Sequence, residues 1–222
     1  MSVFFGGVIH THILKKISCY LKQMRLIAVC GLKRSGKDVV ANYLSDRYGY
    51  KHVKIAEKLK KITQTAFGFT DDDLETDAKD RIHPVWGVTP RVCMDYLGTH
   101  VFQHDIKRIL PHCSFPDRCF WINDVLRSHC STGSYSELKN RVVISDLRFE
   151  HELRAIRQRS KLYNEDDLKT TVIRICRDGT SADGFESESE THKLVVDHTI
   201  HNNGTLDDLF EQVDRIVKEK HC

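Results

Sequence analysis

The chain has 222 residues, 40% hydrophobic and 29% charged, the proportions of a soluble globular protein long enough for one well-buried core. Its 34 basic and 31 acidic residues leave a formal charge of +3, too balanced for the strongly basic face of a nucleic-acid binder. No run approaches the ~18 apolar residues of a membrane span, and the apolar patch within residues 1–23 precedes its basic residues, the reverse of a secretory signal.

These features predict a cytoplasmic protein with no membrane partner, an N-terminal extension over 1–23 and one domain over 24–222. A membrane-surface role for the extension is the minor reading. The eight cysteines, at 19, 30, 93, 113, 119, 130, 176 and 222, contain no CxxC pair and read as free thiols in a reducing compartment. His112, Cys113, Cys119, His129 and Cys130 cluster, but their spacing does not match the usual zinc patterns.

In chain order, residues 25–30 (RLIAVC) form a short apolar run ending at Gly31, a buried strand entering a tight turn. Residues 38–48 have helical spacing, 51–55 (KHVKI) read as a second strand, and 57–67 as a helix. Residues 68–88 are polar and acidic and read as a loop with one helical turn. Thr89 suits a helix cap followed by Pro90 in the first turn, and that helix runs through Phe102. Pro111 and Pro116 break it, and another helix covers 119–130.

Residues 141–145 (RVVIS) are a buried-type strand ending at Asp146. A helix over 149–159, a strand over 171–176 (TVIRIC), a loop over 178–192, a short strand over 197–200 and an amphipathic helix from Thr205 to 218 follow. Five apolar strands alternating with helices predict an α/β fold, a parallel sheet covered on both faces.

Gly31, Lys33, Arg34, Ser35, Gly36, Lys37 and Asp38 lie in the segment GLKRSGKD, which has the spacing of a phosphate-binding P-loop and sits between a strand and a helix as that motif requires. Its main-chain N–H groups would cup the phosphates of ATP, with Lys37 reaching the outer ones. Asp38 stands where the general pattern has a Ser or Thr on magnesium; it too is an oxygen ligand. Asp146, ending the strand VVIS, is placed for Mg2+ together with Asp38, and Arg148 lies two residues on, suited to gripping a phosphate. The alternative for Asp146 is the cap of the next helix. Arg177 leads into the 178–192 loop, which reads as a mobile lid bringing positive charge to the transferring group.

Taken in order, GLKRSGKD, IAEKLK, TPRVCMDYLGT, Trp121, ISDLRFEHEL, VIRICRD, ESESETH and IHNNGTLDDLF resemble the phage- and virus-type deoxynucleoside monophosphate kinases over about residues 25–217. The resemblance implies the P-loop kinase fold with strand order 2-3-1-4-5, ATP and Mg2+ as cofactors, and a cytoplasmic location (host cytoplasm for a viral protein). It implies transfer of the ATP γ-phosphate to a deoxynucleoside monophosphate. It further implies Lys60, Arg91 and Arg148 near the acceptor, Asn203 near the adenine of ATP, and catalytic roles for Lys37, Asp146, Arg148 and Arg177. Trp121 and Glu190 complete the acceptor residues; Trp121 is also a candidate for core packing, and the Glu188, Glu190, His192 stretch departs from the family's order. An Arg is frequent after LGT in the family, where this chain reads HVFQH.

Animal-type phosphomevalonate kinases share the loop and the SDxR element and form the nearest alternative. The alternative from another class is a nucleotide-dependent regulatory switch, although no guanine-reading Asn-Lys-x-Asp segment is found. The partners implied are small nucleotides and no nucleic acid. An apolar helix face is compatible with packing inside the chain or in a homodimer.

Overall fold

The computed structural model describes residues 24–112, 118–130, 141–162, 168–180 and 190–219. The extension 1–23, Cys113 and lid residues 181–189 lie outside the described residues. Five strands, β1 (Met24–Cys30), β2 (Lys51–Val53), β3 (Arg141–Leu147), β4 (Leu168–Cys176) and β5 (His198–His201), form one parallel sheet. Their order is β2-β3-β1-β4-β5, as the P-loop kinase fold requires.

The strands are apolar on both sides because both faces are covered. Leu26, Ala28 and Cys30 of β1 join Val142 and Ile144 of β3 in one core. That core is closed by Leu59 of α2 (Glu57–Phe67), by Trp121, Ile122 and Val125 of α6 (Phe120–His129), and by Leu153 and Ile156 of α7 (Glu150–Leu162). The intervening Ile27 and Val29, with Val143, Ile173 and Ile175, face the other layer. There they meet Val40, Ala41 and Leu44 of α1 (Lys37–Tyr48) and Leu209, Val213 and Val217 of α8 (Leu206–Glu219). Each fully buried Leu or Ile contributes roughly 1.5–3 kcal/mol. Thr205 caps α8 as expected, accepting from the Asp208 N–H at 3.2 Å while the Asp208 carboxylate accepts from the Thr205 N–H at 2.8 Å.

The alternation of β3 is broken at one place. Ala28 pairs with Ile144 but Cys30 pairs with Leu147, so β3 carries one extra residue between them. Ile144 and Leu147, three apart, therefore face the same core. A bulge re-aims side chains locally, and the side chains it re-aims are Ser145 and Asp146.

Two segments differ from the sequence expectation. Residues 68–88 hold a short helix, α3 (Asp71–Glu75), and a 3-10 turn (Asp77–Asp80). The Thr70 hydroxyl caps α3 at the Asp73 N–H and the Asp73 carboxylate reaches back to the Thr70 N–H. Elements this short have too few turns to show a period. The helix after Thr89 starts as predicted, with Thr89 accepting from the Val92 N–H at 3.2 Å in α4 (Pro90–Asp95). It then widens into a π-helical stretch, Tyr96–Asp105, before α5 (Ile106–Ile109). In that stretch Gly98, Thr99 and Gln103 are all buried. A Cβ on Gly98 would lie 2.6 Å from Leu59 Cδ2, so a larger residue there would have to displace the Leu59 side chain.

No helix among the described residues is long and apolar enough to cross a membrane. Cys30, Cys93, Cys119 and Cys130 are buried free thiols.

Candidate functional site: a phosphate loop and an adjoining cationic cleft

The loop after β1 is shaped by two glycines. Gly31 has φ +146°, and a Cβ there would lie 2.4 Å from the Ile175 carbonyl oxygen. Gly36 has φ +105°, and its Cβ would lie 2.5 Å from Asn202 Nδ2. Asn202 holds the loop, donating to the Ser35 carbonyl at 2.8 Å. Lys37 Nζ donates to the Leu32 carbonyl at 2.6 Å, arching its side chain back over the loop. No side chain caps the start of α1, so its first N–H groups and the positive end of its dipole are presented by the loop, the condition for holding phosphate.

Asp38, in the first turn of α1, accepts from the Ser145 hydroxyl at 2.9 Å and pairs with Lys54 at 3.1 Å. His52 Nε2 lies 2.7 Å from Ser145 Oγ, and His52 Nδ1 lies 3.0 Å from Asn42 Oδ1. Burial works to raise the Asp38 carboxyl, but the Lys54 hydrogen bond and charge, with Ser145, outweigh it and hold the group below its ordinary range. Burial and Lys54 push His52 down.

Asp146 turns elsewhere. Its two oxygens accept from the Ile55 and Ala56 N–H groups at 2.7 and 2.9 Å and so hold the start of α2. The expectation that Asp38 and Asp146 share one ion meets a different arrangement: each has its own partners, because the bulge sends Ser145 to α1 and Asp146 to α2. Among the described residues no three His, Cys, Asp or Glu side chains gather as a metal site. Magnesium needs few protein ligands when phosphate oxygens and water complete its shell, and Asp38 with Ser145 supplies hard oxygen donors beside Lys37.

A cleft opens between α2, the 3-10 turn, the π-helical stretch and the end of β3. Lys60, Lys79, Arg91 and Arg148 line it together with Leu59, Leu74, Met94, Trp121 and Phe149. Carboxylates already meet several of these cations. Glu75 takes Lys60, and Asp80 takes Arg91 through two oxygens, one of them 3.1 Å from Nη2. Asp80 also lies 3.6 Å from Lys33, and Asp77 lies 3.7 Å from Arg34, both in the phosphate loop. Burial, then the charges of Arg91 and Lys33, push the Lys79 ammonium below its usual range.

Glu152 also lines the cleft at 3% exposure, accepting from the Arg148 and Phe149 N–H groups at 2.9 and 3.0 Å. Burial raises its carboxyl to about 7 despite those bonds.

The structure thus brings Lys60, Arg91, Trp121, Asp146 and Arg148 to one cleft. Trp121 is 4% exposed, donates to the Gly98 carbonyl at 3.0 Å and packs on Phe102 and Phe120, so little of it is left for a ligand. Glu190 pairs with Lys193, whose hydrogen bond lowers its carboxyl. Arg177 is exposed in a turn closed by Thr180. Asn203 accepts from the Asp178 N–H at 2.9 Å, while its neighbour Asn202 is the one on the phosphate loop. Lys54, Lys79, Asp80, Gln103, Glu152 and Asn202 were not singled out in the sequence. The paired asparagines of HNNG were a usable signal for Asn202; the others depend on packing.

A P-loop ahead of the first core strand's partner helix, on a 2-3-1-4-5 parallel sheet with a cationic cleft beside it, defines a P-loop kinase. Residues 25–83 match the sequence profile described as deoxynucleotide monophosphate kinase. A protein of Acanthamoeba polyphaga mimivirus named "Putative deoxynucleotide monophosphate kinase" is 30% identical over 199 residues, covering 86% of this chain and 94% of that protein. The chain belongs to the deoxynucleotide monophosphate kinase family. Among solved structures, dephospho-CoA kinase from Campylobacter jejuni aligns over 88% of this chain and 97% of its own at 15% identity and a TM-score of 0.41.

Proposed function

We propose that the protein transfers the γ-phosphoryl group of Mg-ATP to the phosphate of a deoxynucleoside monophosphate, giving the diphosphate and ADP. One observation carries this reading: Asp80 touches Lys33 of the phosphate loop and Arg91 of the cleft at once. Cations a single carboxylate can bridge are close enough to bring a donor and an acceptor phosphate into line. Family membership supports the acceptor class.

Phosphate oxygens are already nucleophilic, so positioning and charge neutralisation suffice without a strong base. Lys37 moves from the Leu32 carbonyl to the outer phosphates. Arg34, Lys33 and the α1 N–H groups hold the donor, and Lys60, Lys79, Arg91 and Arg148 hold the acceptor phosphate. Substrate phosphates compete with Glu75, Asp77 and Asp80 for these cations. Magnesium, when held by Asp38 and Ser145 with phosphate oxygens and water, supplies further charge neutralisation. Asp146 acts by holding Ile55 and Ala56, and through them the start of α2 that carries Lys60. Arg177 is assigned to the transferring group, Glu190 to the acceptor and Asn203 to the adenine of ATP.

Release of ADP, followed with dTMP, dGMP, dCMP, hydroxymethyl-dCMP, dAMP and phosphomevalonate, tests the reading. At least one deoxynucleotide should support turnover. Turnover with phosphomevalonate alone, or hydrolysis independent of any acceptor, overturns it. Lys37→Ala is expected to lower kcat by about a thousandfold. Arg148→Ala is expected to raise the acceptor KM about tenfold while leaving the ATP KM within about twofold.

A further inference from the structure

Gln103 is a polar side chain in the wrong place for a purely structural residue. It lies in the π-helical stretch, lines the cleft and is 6% exposed, and its Oε1 is buried with no hydrogen-bond partner among the described residues. A buried amide oxygen without a donor costs free energy, whereas Leu or Met of similar size would not. π-helical segments concentrate at functional positions, and this one carries Gln103 to the same buried face as Gly98 and Thr99, beside Trp121.

The ligand group that satisfies Gln103 must donate a hydrogen bond. Phosphate cannot: it is an acceptor, and the cleft already meets it with Lys60, Lys79, Arg91 and Arg148. The apolar wall of Leu59, Leu74 and Met94 suits a flat, weakly polar body. A side-chain amide offers one acceptor and one donor in a plane, the complement of a base edge with an N–H next to an acceptor. The soft terminal torsion of Gln lets the amide turn into the cleft without moving the helix.

We propose that Gln103 reads the acceptor's nucleobase, its side-chain carbonyl accepting an N–H from the base's hydrogen-bonding edge. This rests on the nucleotide-kinase reading and makes it narrower: the acceptor is a monophosphate whose base carries an edge N–H beside an acceptor atom. Thymine, cytosine, adenine and guanine all present that pair, so Gln103 demands a base while tolerating several.

The test uses the full chain and ADP release with dTMP, N3-methyl-dTMP and 3′-deoxy-dTMP; another deoxynucleotide and its N-methyl analogue replace the first two if dTMP is not the preferred acceptor. Wild-type kcat/KM is expected to fall about 10–100-fold on N-methylation. Gln103→Leu should lower kcat/KM for dTMP to the N-methyl level, abolish the discrimination, leave the ATP KM within about twofold, and melt no lower than wild type, because the orphaned oxygen is gone. Gln103→Met also lacks the acceptor atom but keeps the length and flexibility of the side chain; it should lose discrimination in the same way, and it decides the matter should the Leu variant fail to fold. Discrimination unchanged in both variants overturns the proposal, as does a matching rise in the ATP KM, or a loss that follows the 3′-hydroxyl instead of the base N–H. Turnover of deoxynucleotides with no Gln103 dependence sinks this inference alone. No deoxynucleotide turnover at all sinks the function with it.

Discussion

Glu152 and His151 are neighbours whose burial acts on stability with opposite signs. The buried Glu152 carboxyl is raised from 4.5 to about 7, so between these values the folded chain binds more protons than the unfolded one and stability falls as pH rises. Burial, with the charge of Arg118, lowers His151 from 6.5 to about 4, so stability rises with pH across that window. The two largely cancel in wild type where the windows overlap, and a variant is needed to separate them. Glu152→Gln keeps an oxygen for the Arg148 and Phe149 N–H groups and removes the titration. Its stability relative to wild type is expected to grow between about pH 4.5 and 7, reaching on the order of 3 kcal/mol at about 1.4 kcal/mol per unit. Urea unfolding at a series of pH values checks this, and parallel profiles for the two proteins refute it.

At the scale of elements, the phosphate loop is built by close approach. Ile175 of β4 presses its carbonyl on Gly31, and Asn202 after β5 presses on Gly36 and binds Ser35. The last two strands of the sheet therefore set the shape of a loop that follows the first. Gly31→Ala is expected to cost about 3 kcal/mol or more, from a positive φ and a backbone clash that no side-chain rotation relieves. Its denaturation midpoint should fall accordingly, and a midpoint within error of wild type would contradict the packing. The acidic segment of α3 and the 3-10 turn has a different character. Its ion pairs lie near the surface, where each is worth about 0–1 kcal/mol, so Glu75, Asp77 and Asp80 give way to phosphate at little cost in stability. Asp80→Asn is accordingly expected to change stability by less than about 1 kcal/mol, measured by the same unfolding transition.

At the scale of the whole molecule, the phosphate loop draws on β1, α1, β4 and the residue after β5, and the cleft on α2, α3, the 3-10 turn, α4, the π-helical stretch, α6, β3 and α7. Occupancy of the loop by nucleotide should stabilise all of these together. At a concentration about 100 times its Kd, ATP adds about 2.7 kcal/mol, or a rise in Tm of about 5–10 °C at this chain length. Lys37→Ala should lose most of that shift while melting close to wild type without nucleotide. An equal ATP-induced rise in both proteins would remove Lys37 from the phosphate site.

Short apolar strands bounded by turns, helices with a 3.6-residue period, and Gly31, Gly36 and Lys37 between the first strand and helix were legible because each is a local signal. Strand order came from resemblance, and the hydrogen-bond partners of the site came from neither. The Thr89 and Thr205 caps were also local and are present. The amino-acid sequence by itself determined that a P-loop with its Lys37 sits at the head of an α/β sheet; Lys60 and Arg91 came from resemblance. Tertiary structure decided that Asp38 joins Ser145 while Asp146 holds α2, that Asn202 is the asparagine on the loop, and that Gln103 and Glu152 lie buried in the cleft. The reason is that one extra residue in β3 and one widened helix rotate side chains by less than any sequence period can register. Their partners come from segments far away in the chain, 91 residues between Asp146 and Ile55, 107 between Ser145 and Asp38 and 167 between Asn202 and Ser35.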